Sequence, residues 1–73
     1  MAVKREQLEE IFTYHAPDDD QVPKYAKVRL AGQALCDVIL ENTPVCGDQQ
    51  AAIRKVREAV TTANMAIALK GLV

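Results

Sequence analysis

The chain contains no serine and no tryptophan, one histidine, one phenylalanine and two cysteines. Without serine, a serine–histidine nucleophile is excluded. Pairing of Cys36 or Cys46 with His15 is the one nucleophilic set left, and cysteine in a helical chain more often serves as a small buried hydrophobe. No catalytic residue is assigned, so no enzymatic activity is expected. Two cysteines are too few for a disulfide scaffold. Their spacing to His15 and the carboxylates matches no metal-ligand pattern, and the run Asp18–Asp20 lacks the spacing of a calcium loop. No metal and no cofactor is expected, and Asp18–Asp20 reads as a solvated loop.

Long apolar runs are also missing. No stretch approaches the ~20 residues needed to span a bilayer. The N-terminal "MAVKREQLEE" is charged, which is unlike a signal peptide. A cytoplasmic chain with reduced thiols and no membrane partner is therefore expected. The net charge of −1 argues against polymeric nucleic acid as a partner.

What the chain does have is alanine. About half its 73 residues are apolar, and eleven residues are alanine. A domain of this size buries only about 60% of its unfolded surface. Alanine brings little area to the ~25 cal/mol per Å² that stabilises a core. With neither metal nor disulfides, self-association is the expected source of the missing burial.

The periodicity is helical throughout. A first helix is expected at about 3–13, with Leu8, Ile11 and Phe12 on one face as core. Pro17 and the acidic run break it. The second helix is expected at about 23–41, with Pro23 suited to its first turn. Tyr25, Val28, Gly32, Leu35 and Ile39 recur at spacings 3, 4, 3, 4, a heptad seam. Gly32 in that seam points to a close helix approach. "NTPVCGD" (42–48) breaks the chain again, and Asp48 is placed to cap a third helix at about 48–69. Ile53, Val56, Val60, Ala63 and Ile67 repeat the 3, 4, 3, 4 spacing. Ala52, Ala59 and Ala66 form a second stripe, and Gly71 marks the stop. The fold class expected is all-α: a short N-terminal helix, then an antiparallel two-helix hairpin. One partner helix covers one face only, so the excess apolar surface implies assembly into a helical homo-oligomer. A single domain over 1–73 is expected.

The polar residues beside the seams are the candidates for function. Arg29 follows Tyr25 by four, and Arg57 lies between Ile53 and Val60. Gln50, Arg57 and Asn64 form one column. Such residues either make interchain salt bridges or line a pocket at a subunit junction. There, a guanidinium would meet phosphate bidentately, and Asn64 a base edge or a sugar hydroxyl. Tyr14 falls off the apolar face of the first helix, and either packs or stacks on a nucleobase. His15 either donates to a phosphate or caps the helix end.

"FTYHAP" (12–17), "YAKVR" (25–29) and "DQQAAIRKVREAVTTANMAIA" (48–68) resemble one phage family. It is the hairpin domain shared by the anti-CBASS and anti-Thoeris cyclic-nucleotide sponge proteins. The resemblance covers about residues 8–69, and the chain's length places it closer to the anti-CBASS branch. Its most specific parts are Phe12-x-Tyr14-His15-x-Pro17 and the run Ile53–Ala68. The family implies a non-enzymatic function. Its members bind bacterial cyclic oligonucleotide messengers, di- and in some cases trinucleotides, and sequester them intact. Defence effectors in the host bacterial cytoplasm then never fire. It also implies a homohexamer with ligand sites between protomers. Tyr14 matches the family's base-stacking tyrosine. The phosphate-contacting base matches Arg29, with Lys27 and Lys24 as alternatives across the 18–24 loop. Arg54, Arg57 and Asn64 fall where trinucleotide contacts would lie. The chain departs from the family at Gly47, where relatives carry arginine, and at Thr62, where they carry tryptophan. The alternative from periodicity alone is a helical oligomeric protein-interaction module without a small-molecule ligand.

Overall fold

A computed structural model describes residues 3–72. A 3-10 turn at Arg5–Gln7 runs into α1 (Leu8–Phe12), followed by α2 (Val22–Asn42) and α3 (Gly47–Ala68). No strand occurs among the described residues, so the chain is all-α. No helix among them is long and apolar enough to cross a membrane.

Helices α2 and α3 pack against each other along their length. At one end, Gln21 Nε2 donates to the Ile67 carbonyl at 2.8 Å. Midway, Gly32 lies against Val56 and Val60. At the other end, Gln49 Nε2 donates to the Thr43 carbonyl and hydroxyl, both at 3.1 Å. Low numbers on α2 thus meet high numbers on α3, which makes the pair antiparallel.

The expected seams form the contact. Tyr25, Val28, Gly32 and Ile39 on α2, with Ile53, Val56, Val60, Ala63 and Ile67 on α3, are all partly buried. Leu35 is the exception. It stays 50% exposed, and Cys36 is the partly buried neighbour. A straight helix at 3.6 residues per turn drifts away from a 3.5-residue repeat, so an adjacent residue takes the inner place. Gly32 allows the close approach its position suggested: a Cβ there would stand 2.5 Å from Val60 Cγ2. Ala59 and Ala66 of the alanine stripe remain exposed.

The N-terminal segment corrects two expectations. The helix expected over about 3–13 is a 3-10 turn plus five α-helical residues. It makes no close backbone contact with α2 or α3. Five residues form little more than one turn, too few to hold an apolar stripe against the hairpin. Phe12, expected in the core, is 83% exposed, and Leu8 is exposed as well.

Three helix ends add to or differ from what was expected. Asp18–Asp20 form the exposed loop expected, and Asp18 also takes part in the turn into α2: its Oδ1 accepts from Gln21 N at 2.9 Å, and Gln21 Oε1 accepts from Asp18 N at 3.1 Å. This reciprocal pair is a capping box at the entry to α2. The exposed acids Asp18–Asp20 therefore lie beside the positive end of the helix dipole. Asp48 does not cap α3. Cys46 does, its Sγ accepting from Gln49 N at 3.5 Å, and Asp48 sits in the first turn. At the far end of α3, Lys70 N donates to Ile67 O and Gly71 N to Ala66 O, a Schellman closure. Its left-handed position belongs to Lys70 (φ 53°), and Gly71 (φ 79°) follows one residue later.

Burial is thin. Among the described residues, only Leu69, Gln21 and Gln49 are buried, none of them completely, and two of these are polar. The chain exposes 5951 Å², against about 4,500 Å² for a compact monomer of this mass. Its radius of gyration is 15.3 Å, where a compact chain of this length would have about 11 Å.

Candidate functional site

Where the segment after α1 crosses the open end of the hairpin, a cleft of about 260 Å³ forms. Thr13, Tyr14 and His15 make one wall, and Tyr25, Asn64, Met65 and Ala68 make the other. Three elements distant in sequence supply it. Pro17 and the Asp18 capping box turn the chain into α2. The buried Gln21 amide then ties that turn to the end of α3.

Tyr14 is 84% exposed, so its ring is available to stack on a planar ligand. His15 is held in place: Nε2 lies 2.7 Å from the Glu10 carbonyl and 3.7 Å from its carboxylate. In the neutral ring this geometry puts the proton on Nε2, so that it can donate to the carbonyl, and leaves Nδ1 as an acceptor. Of the two roles expected for His15, capping of the helix end is therefore the one its Nε2 performs.

Asn64 is the cleft's most informative polar group. Its Oδ1 is buried and lacks a hydrogen-bond partner. An acceptor left in that condition costs roughly 1–3 kcal/mol.

The remaining candidates lie elsewhere on the chain. Arg54 and Arg57 share a groove of about 310 Å³ on α3 with Glu58, Thr61 and Thr62. Neither arginine is ion-paired among the described residues. Lys24 lines a third hollow with Asp18, Asp20 and Lys70, where Lys70 Nζ stands 3.6 Å from Asp18 Oδ2. That acidic company makes it a poor phosphate seat. Lys27 and Arg29 are exposed on α2. By helix periodicity, Arg29 lies one turn beyond Tyr25 on the same face. Arg57 lies about 10 Å beyond Asn64 in its column. Because the hairpin is antiparallel, both residues lie on the loop side of the cleft along their helices.

The structure thus brings Tyr14, His15 and Asn64 together and leaves the basic candidates outside their cleft. It also adds Tyr25, which the heptad spacing placed in the seam, and Met65, which no spacing singled out. The phenol of Tyr25 was the available signal, since a ring with a polar end seldom packs wholly in a seam. The exposed Tyr14 ring at the cleft suits stacking on a planar ligand. No family model, curated protein or solved structure matches this chain.

Proposed function

We propose that the chain is a phage sponge of the anti-CBASS type. It binds cyclic oligonucleotide messengers, holds them uncleaved in the host bacterial cytoplasm, and so keeps the effector silent. The observation that carries this reading is the cleft itself. The tyrosine of the Phe-x-Tyr-His-x-Pro box is exposed there, opposite a second tyrosine and an asparagine whose buried oxygen lacks a partner. A base stacks on Tyr14, and the ribose-phosphate ring extends toward Arg29, with Arg57 further along.

The cleft of one chain is too open to enclose a macrocycle, so the proposal includes a homo-oligomer, a hexamer on the family's pattern. The excess exposed area supports it. About 1,500 Å² beyond the compact value is roughly two standard interfaces at about 800 Å² per partner. A closed ring uses two unlike patches on each chain, one toward each neighbour.

A second reading has its own support. A groove of about 470 Å³ beside the seam is lined almost wholly by apolar groups, among them Val28, Ala31, Leu35, Ala59 and Ala63. This is the surface a helical protein-interaction module would offer.

Calorimetry with a panel of cyclic di- and trinucleotides separates the two. The sponge reading expects saturable binding at micromolar concentration or better, and recovery of intact ligand after proteolysis of the complex. Tyr14→Ala should weaken binding of cyclic dinucleotides by about 5- to 150-fold, the loss of one stacked base. Arg29→Ala should weaken it comparably, and neither change should dissociate the assembly. A folded oligomer that binds none of the panel leaves the interaction module as the function.

A further inference from the structure

Two apolar surfaces of the chain face solvent. One is the N-terminal arm. Leu8, Ile11 and Phe12 stand at i, i+3 and i+4, so they share one face of α1. Phe12 is 83% exposed, and Leu8 is exposed as well. The α-helix there is five residues long, far below the roughly 12–15 at which an isolated helix holds itself. The other surface is the groove of about 470 Å³ shared by α2 and α3. Small and apolar side chains line it, among them Val28, Ala31, Leu35, Ala59 and Ala63. Ala31, Leu35 and Ala59 are exposed.

We propose that the arm of one chain docks in the groove of a second copy. The proposal rests on the self-association in the functional reading above and not on its ligand. Apolar side chains at i, i+3 and i+4 are the anchors by which a short helix seats in an apolar groove. The charges of the two surfaces also match. From Glu6 to Phe12 the arm carries the acids Glu6, Glu9 and Glu10 and no base. Among the described residues, Lys55 is the one charged group lining the groove. Area gives a further argument. A chain that lends its arm to one neighbour and receives the arm of another makes two contacts. At about 800 Å² per partner, two contacts account for the surplus between the 5951 Å² exposed and the about 4,500 Å² of a compact chain.

The chain's own arm does not fill the groove. Helix α1 makes no close backbone contact with α2 or α3. The residues after it lie at the open end of the hairpin beside Tyr25 and Met65, whereas the groove is centred on Gly32, midway along. Pairing of groove with groove would cover one surface and leave Leu8 and Phe12 in water. Arm in groove covers both.

Photo-crosslinking of the full chain tests the seat directly. Heavy-isotope-labelled chains carry p-benzoylphenylalanine in place of Phe12 and are reassembled with a large excess of light chains. Irradiation, digestion and mass spectrometry should then show heavy arm peptides joined to light residues of segments 28–35 and 55–63. Links within heavy chains alone mean that the arm folds onto its own hairpin. Links to light residues elsewhere mean that the groove is not the seat. Either result overturns the proposal, as does the absence of links.

Sedimentation velocity supplies the second measurement. Phe12 is exposed within one chain, so Phe12→Ala removes only contacts between chains. The concentration at which the oligomer half-dissociates should rise about thirtyfold or more, the loss of a central aromatic anchor. Ala59→Glu, which puts an acid into the groove that receives the acidic arm, should raise it as well. An unchanged midpoint in either variant overturns the pairing, and a wild-type chain that stays monomeric overturns it together with the oligomeric sponge. A chain whose arm seats as proposed but which binds no cyclic nucleotide keeps this inference and loses the sponge reading.

Discussion

Cys46 caps α3 with a sulfur, at 3.5 Å from the Gln49 amide. Sulfur is a weak acceptor, whereas a hydroxyl is among the preferred caps. Because Cys46 is exposed, replacing it sacrifices no burial. Cys46→Ser should therefore stabilise the chain by about 0.5–1 kcal/mol, seen as a melting temperature about 4 °C higher at matched protein concentration. An unchanged or lower value would mean that the thiol is not the effective cap. At this scale the sequence was legible wherever position alone decided the outcome. Pro23 stands where its missing N–H goes unneeded, whereas the place of Tyr14 off the apolar face left its exposure open. It was not legible where a choice between neighbours decided. Asp48 and Cys46 are both near the start of α3, and only the extended backbone at Cys46 makes it the cap. Likewise Lys70, not Gly71, takes the first left-handed position.

The two long helices are held by one close approach and two polar clasps. Gly32 lets α2 approach Val60 so closely that an added Cβ would fall 2.5 Å from Val60 Cγ2. Valine is stiff in a helix and cannot swing aside. Gly32→Ala should gain up to about 1 kcal/mol of helix propensity and lose about 1–3 kcal/mol to overpacking. A net loss of roughly 1–2 kcal/mol is expected, with part of it restored by adding Val60→Ala, because the two sites are coupled. A Gly32→Ala chain that melts higher than wild type would show that the helices do not meet there. The seam that sets this contact could be read because a 3, 4 spacing sustained over five positions admits few other arrangements. The clasps at Gln21 and Gln49 could not. Glutamine is ordinarily a surface residue, and its burial here depends on a carbonyl some 46 residues away for Gln21 and on the loop Thr43 for Gln49. The N-terminal arm misled for a related reason: its apolar spacing is helical, but α1 has no partner in the same chain to reward it.

Taken as a whole, the molecule is an open hairpin with an unattached arm. Leu69 is the only buried apolar residue among those described, while Phe12, Val45 and Leu30 are among the large apolar side chains left exposed. The shortage was visible in the composition, since eleven alanines supply helix but little area. The number of copies was not, because periodicity counts helices within a chain and says nothing of how chains close on one another. If copies supply the missing burial, dilution should unfold the chain. Its melting temperature should fall steadily as protein concentration drops from micromolar to nanomolar, by mass action. A melting temperature independent of concentration across that range would indicate a self-sufficient monomer.

The proposed sponge requires assembly and intact retention of ligand together, and native mass spectrometry of the chain mixed with cyclic di- and trinucleotides reads both in one spectrum. The expected result is a single oligomer, a hexamer on the family's pattern, shifted by whole multiples of one uncleaved cyclic nucleotide. A species at the 8.0 kDa mass of one chain, with no nucleotide attached, would contradict it.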